Sequence, residues 1–342
     1  MLTGNIEKLV GLISEVINHT KFDEYKRIKE IIQETKSRIE MAMFQMGHVV
    51  VANHAMSYFS SISKYDDLLS GLGFYKFICS IEKNFENNKE DISNNLKNTA
   101  SLIFNVNNLI TGVTCDNKDY NKFKNNIGII YDQLDKDKLE NEVYEFKFNP
   151  ENEGLMTSGK VQYVAKAYNF MKLGYSYNGS LQVLKSIANY DYLWNEVRVQ
   201  GGAYGSFAAF LRNGNMFFTS YRDPNLDKTI EVYDKAGEFF KNFKADNRQM
   251  TKYIIGTISD LDYPLTPSSE GQRVFDNYIR HISYEDMQKE REEVLNTKVK
   301  DIEKFSELIS DVMKQNNLCV LGNEQKIKEN KSIFNNVFNL FE

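Results

Sequence analysis

The segment 178–199 has apolar residues at helical spacing and runs into two adjacent glycines, Gly201 and Gly202, after which SFAAFL reads as a strand. A chain with this junction must convert a helix into a strand within a few residues. Glycine has no Cβ, so it ends the helix and builds a tight turn. The corner, RVQGGAYG at 198–205, throws Arg198 and Tyr204 onto its two sides. A fixed cation and a phenolic donor can bind and polarise a carbonyl. Without a base, a nucleophile or a metal ligand beside them, they cannot break a bond alone.

The rest of the chain sorts into two halves around NPENEG at 149–154, the best boundary in the sequence. Before it, helices are expected at 5–18, from near Phe22 through an apolar, deeply buried stretch at 41–58, at 64–85, at 89–104 and at 118–134. A short strand is expected at 108–114 and an extended segment at 143–148. After it, VQYVAKAYNF at 161–170 reads as a strand, followed by the 178–199 helix and strands near 206–211 and 215–221. Asp223 and Pro224 look like the N-cap and first turn of another helix. Helices then run to the end around one strand near 318–321. YEDMQKEREEVLNTKVKDIEKF at 284–305 reads as a charged amphipathic helix solvated on one side.

Two pairs of segments resemble each other in the same order. NIEKLV at 5–10 parallels NLDKTI at 225–230, and NNLITGV at 107–113 parallels NNLCVLG at 316–322. A duplication of this kind leaves the first copy without a counterpart to 151–220, where most of the strands lie. The first domain is therefore expected to be strand-poor and N-terminally truncated, with a sheet edge awaiting a partner.

Bulk properties exclude several functions. At 342 residues there is room for two ordinary domains, and 42% hydrophobic with 26% charged residues describes a soluble globular chain. A net charge of −5 offers no footprint for nucleic acid. The most apolar stretch, 41–58, is interrupted by Gln45, His48, Asn53 and His54, so no membrane span is expected. The N-terminus lacks a secretory signal. Cys79, Cys115 and Cys319 form no CxxC and read as buried free thiols of a reducing compartment.

Other constellations are weak. A phosphate-cradling glycine loop runs from strand to helix, whereas Gly201, Gly202 and Gly205 follow a helix C-terminus, whose partial negative charge repels phosphate. A nucleotide-binding module is thereby disfavoured. His48 and His54 are six apart, off a common helical face, and no HExxH or HxxEH occurs, so no metal site is expected within the chain. No GxSxG elbow is present. Trp194 and Tyr192 are expected to pack as core under the corner.

YDYLWNEVRVQGGAYGSF at 190–207 and SYRDPNLDKTIEVYD at 220–234 resemble the presequence-protease branch of the insulinase/pitrilysin zinc peptidases. The resemblance continues through GTISDLDYPLTPSSEG at 256–271, EREEVLNTKVKDIEKFSELI at 290–309, FDEYKRIKEIIQETKSRIE at 22–40 and the Gly47–His48 pair. It implies an α+β fold of two related α/β sandwich domains, each an antiparallel-rich sheet covered by helices: a third family domain at 1–150, mostly helical and truncated, and a fourth at 151–342. Members are two-halved clamshells whose N-terminal half binds zinc through HxxEH. The R-x5-Y motif of the C-terminal half falls here on Arg198 and Tyr204.

On that resemblance the chain is the C-terminal, substrate-binding half of a zinc oligopeptidase that degrades unfolded peptides in a closed chamber. Arg198 and Tyr204 would bind the scissile carbonyl and stabilise the tetrahedral intermediate. Gly201, Gly202, Ala203 and Gly205 would let substrate backbone approach, and Arg222 would touch peptide. Zinc would sit on the N-terminal half, the natural partner, leaving this chain inactive alone. Family substrates add as a strand to a sheet edge. The expected compartment is the cytoplasm in a bacterium and an organelle in a eukaryote. The alternative is a non-catalytic scaffold or peptide-binding subunit of the same fold.

Overall fold

Six strands form one mixed sheet in the computed structural model, which describes residues 3–140, 142–148 and 151–341. They are β1 (Asn152–Thr157), β2 (Tyr163–Asn169), β3 (Gly205–Phe210), β4 (Asn215–Tyr221), β5 (Leu318–Asn323) and β6 (Asn336–Asn339), in the order β3-β4-β2-β5-β1-β6. The β3–β4, β4–β2 and β2–β5 pairs are antiparallel, and β5–β1 and β1–β6 are parallel. This is the expected α+β class. Central strands β2 and β5 are buried on nearly every residue, so helices must cover both faces.

Contacts group the chain into two units. One comprises Met1–Ser37, Phe77–Tyr144 and Pro264–Ile282; the other comprises Arg38–Lys76, Glu145–Tyr263 and Ser283–Glu342. They interleave along the sequence. The segment Arg38–Lys76 joins the sheet because its helix Gly47–Ser57 buries Val51, Ala52, Ala55 and Met56 and packs on β2, β4 and β5. Close approach depends on Gly47, where an added Cβ would lie 2.5 Å from the Tyr163 ring.

On the opposite face of the sheet, the helices Ser180–Ile187, Asp227–Lys241 and Val299–Lys314 enclose the main core. Leu181, Leu184, Phe210, Phe218, Tyr233, Phe240 and Ile309 are among its members. Burying such side chains contributes roughly 1.5–3 kcal/mol each. Two buried charges are paired. Lys166 of β2 reaches Asp234 at 2.6 Å. On the Gly47–Ser57 side, His54 lies between Asp67 at 2.9 Å and Glu153 of β1 at 2.7 Å, and the Tyr58 hydroxyl also donates to Glu153.

Helices are the regular elements of the first unit among its described residues. Val10, Ile130 and Leu134 form its small core, joining the helices Ile6–His19 and Asn117–Tyr131. Within the described residues of 1–150 no strand forms beyond the isolated bridge Asn105–Asp135.

Several local expectations are corrected. The strand expected at 108–114 is absent; a 3-10 turn at Val106–Asn108 stands at its start, because the Asn105 side chain captures the Asn107 N–H. The proposed equivalence with 316–322 therefore does not extend to a shared strand. Residues 143–148 have no regular structure, and positions 149–150 of the boundary motif lie outside the described residues. The helix from Phe22 starts at Tyr25 and breaks at Met46, and the 64–85 helix is two helices broken at Gly71. The charged run is also two helices, Tyr284–Leu295 and Val299–Lys314. All three cysteines are free, yet Cys115 is exposed and Cys79 half-buried; only Cys319 is buried.

Candidate functional site

The helix leading to the corner changes its winding. Ser180–Ile187 is α-helical, and then Ala188–Tyr192 and Trp194–Gln200 are wound as π-helix. Such wider turns are rare and recur at functional sites. The termination carries the same extra residue. A common glycine-ended helix closes with bonds from the N–H groups of two successive residues to carbonyls three and five positions back. Here Gly202 N–H reaches Arg198 O (2.9 Å) and Ala203 N–H reaches Val197 O (3.1 Å), each one residue further. Gly202 has φ +80°, which glycine adopts without a steric penalty. Gly201 is required for space instead, since a Cβ there would lie 2.4 Å from the Val197 carbonyl oxygen. Asn225 clamps the Gly201 carbonyl at 2.5 Å.

Beyond the glycines, β3 pairs with β4, and the Tyr204 N–H donates to Tyr221 O at 3.1 Å. The turn brings Arg198 and Tyr204 together: the guanidinium carbon is 5.9 Å from the Tyr204 ring centroid. It is also 3.9 Å from the ring of Trp194. Trp194 is 42% exposed, so the expected core role is corrected; Tyr192 is buried, with its hydroxyl donating to Val232 O. The π-winding turns Trp194 outward onto Arg198. Arg27, Arg212 and Arg291 make ion pairs with carboxylates. Among the described residues no hydrogen bond or ion pair engages the Arg198 guanidinium or the Tyr204 hydroxyl. Tyr204 is 67% exposed. The corner thus presents uncommitted donors to solvent.

The other expected residues are distributed around this pair. Ala203 and Gly205 are buried, so they can offer only backbone. Arg222 is exposed, has φ +48° and lies with its side chain against the Tyr163 hydroxyl. Asp223 is not a helix N-cap, because the helix begins at Asp227. Its buried carboxylate instead accepts from Asn225 N–H (2.8 Å) and Thr229 Oγ1 (2.7 Å), pinning the turn behind the corner. Burial raises its pKa, and these hydrogen bonds work against that rise.

Sequence reasoning missed an aromatic file beside Tyr204. Tyr221 meets Tyr204 edge-on at 5.7 Å, and His48 lies 4.8 Å from Tyr221 and 5.2 Å from Phe207. Burial lowers the His48 pKa, favouring the neutral ring. The alternation of Phe207 and Tyr221 toward one sheet face was the available signal. Also missed was the cover on β3, an edge strand. The Asn189 side chain both accepts from Ala208 N–H (2.6 Å) and donates to Ala208 O (3.3 Å), and Gln182 donates to Phe210 O (3.1 Å). An incoming strand would find those rungs taken.

A cleft of about 1040 Å³ adjoins the corner at Gly201, between the π-wound segment and the Asp227–Lys241 helix. Its charged lining mixes Asp191, Glu196, Glu231 and Glu238 with Lys228, Lys235 and Lys244, and it includes neither Arg198 nor Tyr204. Among the described residues no group of His, Cys, Asp and Glu side chains could hold a metal ion. No described helix is long and apolar enough to cross a membrane.

Residues 152–322, which include the corner and strands β1 to β4, match the family described as the PreP C-terminal domain. Residues 1–81 match a second family, described as associated with subfamily C of the M16 peptidases. The chain belongs to the presequence-protease branch of the M16, or insulinase, peptidases. Protein HypA of Clostridium perfringens is 44% identical over 336 residues, covering 98% of this chain and 34% of its own length. Presequence protease 1 of Arabidopsis thaliana, chloroplastic/mitochondrial, is 29% identical over 321 residues, covering 93% and 30%. The chain therefore spans about a third of the length of these two relatives. Among solved structures, a peptidase M16 inactive domain from Pseudomonas fluorescens superposes with a TM-score of 0.55 at 11% identity, covering 92% of this chain and 73% of that one. That likeness is one of M16 fold.

Proposed function

We propose that this chain is the substrate-binding part of an M16 oligopeptidase acting on unfolded peptides. In this reading Arg198 and Tyr204 hold the scissile carbonyl and stabilise the negative charge that builds on its oxygen. The observation that supports it is the placing of a guanidinium and a phenolic hydroxyl, both uncommitted, on one glycine-built corner. Donors already held in place need no reorganisation when charge develops, and losing one such donor typically costs about 100- to 1,000-fold in turnover. Gly201 and Gly202 keep side chains away from the peptide backbone, and Arg222 is a further cationic contact. Arg198 and Tyr204 contribute binding and charge stabilisation only. Bond cleavage and zinc belong to a partner region carrying HxxEH, and the chain alone is inactive.

The test is to mix the chain with a matching HxxEH half and zinc, then follow cleavage of an unfolded peptide. Cleavage that falls about 100-fold or more on Tyr204→Phe supports the reading. Absence of cleavage in every mixture overturns it in favour of a non-catalytic scaffold.

A further inference from the structure

Trp194 is the only tryptophan of the chain and one of its more exposed large side chains. It does not serve the core, yet its ring carries the Arg198 guanidinium at 3.9 Å, with Tyr204 on the same cation at 5.9 Å. A guanidinium has its N–H donors in its own plane, so a contact through its flat face leaves all of them available. A long arginine side chain otherwise loses rotamer freedom when it binds, and that loss weakens binding. Stacking on an indole removes the freedom beforehand.

We propose that Trp194 is the positioning residue of the corner, holding Arg198 against its ring with the guanidinium donors open for a peptide carbonyl. The peptide part of this proposal rests on the carbonyl-binding reading; the holding of Arg198 does not. The π-wound turn provides the geometry: it ends the core at Val197, turns Trp194 outward and keeps Arg198 beside it. Tyr204 closes the far side after the glycines have reversed the chain.

A single tryptophan makes the pair directly observable. In the full chain, Arg198→Ala removes the cation from the indole and is expected to shift the intrinsic emission; unchanged emission would overturn the proposal. The second readout is modification of Arg198 by an arginine-specific dicarbonyl, followed by peptide mass spectrometry. Trp194→Ala is expected to speed it roughly 2- to 10-fold, the equivalent of a partly exposed cation–π contact. Trp194→Phe, which keeps an aromatic face, should stay near the parent rate. Equal rates in all three chains would overturn the proposal.

Titration with a tryptophan-free, unstructured oligopeptide supplies the third readout. Trp194→Ala should weaken binding roughly 2- to 10-fold in the parent and have no further effect in an Arg198→Ala background. The same loss in both backgrounds would mean that Trp194 acts without Arg198, which overturns the proposal. If the unaltered chain binds no peptide, the carbonyl-binding reading fails. Emission and modification rates then still decide whether Trp194 holds Arg198.

Discussion

His54 Nε2 lies 2.7 Å from a Glu153 carboxylate oxygen, joining the Gly47–Ser57 helix to strand β1 across 99 residues of chain. Asp67 takes the other ring nitrogen at 2.9 Å, so the imidazole is held between two buried carboxylates. Burial alone would lower the His54 pKa, but hydrogen bonds and charge from Asp67 and Glu153 outweigh it and raise it. For both carboxylates, burial pushes the pKa up, and His54, aided by Lys64 and the Gly73 N–H at Asp67 and by Tyr58 and Lys76 at Glu153, brings it down.

These directions predict a pH window. The contribution from His54 is fully present below its unfolded pKa of about 6.5 and is lost as pH rises through the higher folded value. The contributions from Asp67 and Glu153 are present above roughly pH 4 and are lost as pH falls through their lowered folded values. Stability against urea should therefore peak between these limits and decline on the alkaline side. His54→Gln should cost about 3–5 kcal/mol at pH 6, because it leaves two buried carboxylates without the positive charge between them. It should also flatten the alkaline decline. An identical alkaline slope in the variant would show that the decline comes from elsewhere.

Gly202→Ala should destabilise by about 1–2 kcal/mol, since φ +80° is costly for a residue with a Cβ. Space is not the cause: the nearest atom, Pro224 Cγ, would be 3.5 Å from that Cβ. Gly202→Asn should recover part of the loss, because asparagine tolerates left-handed backbone. Thermal melts of the three chains check the order; alanine and asparagine behaving alike would refute it.

Part of the cover on β3 can be removed with one side chain. Asn189→Ala leaves the Ala208 N–H and C=O without their side-chain partner, at an expected cost of about 1–3 kcal/mol. It also bares a sheet edge, so concentration-dependent self-association should appear in light scattering. A variant as monodisperse and as stable as the parent would contradict the protective role of Asn189.

Two glycines should respond in opposite directions to the same substitution. Gly47→Ala forces the Tyr163 ring away from the helix and is expected to cost roughly 1–3 kcal/mol. Gly128→Ala, inside the helix Asn117–Tyr131 with nothing within 4 Å of the new Cβ, should stabilise by about 0.5–1 kcal/mol. Urea midpoints measured side by side test both.

The strands β2 to β5 were legible because their apolar runs suit strands of a sheet, and β2 and β5 are buried on nearly every residue. β1 and β6 were not: NEGLMT and NVFN are polar at their ends and look like loop until β5 lies alongside β1 and β1 alongside β6. The opposite error occurred at 108–114, an apolar run that reads as a strand but has no strand partner among the described residues. In both cases pairing, which is non-local, outweighs local preference.

The sequence by itself determined the corner. Helical periodicity, the glycine pair and the apolar run after it suffice to set Arg198 and Tyr204 on one turn, because helix termination and strand entry are governed by neighbouring residues. Tertiary structure decided the rest of the site: the π-winding that turns Trp194 out onto Arg198, the Asn189 amide that covers β3, and the His54 bridge that brings Arg38–Lys76 to the sheet. Each depends on which groups burial and packing bring within a few ångströms, and residues 99 apart in the chain carry no local sign of that proximity.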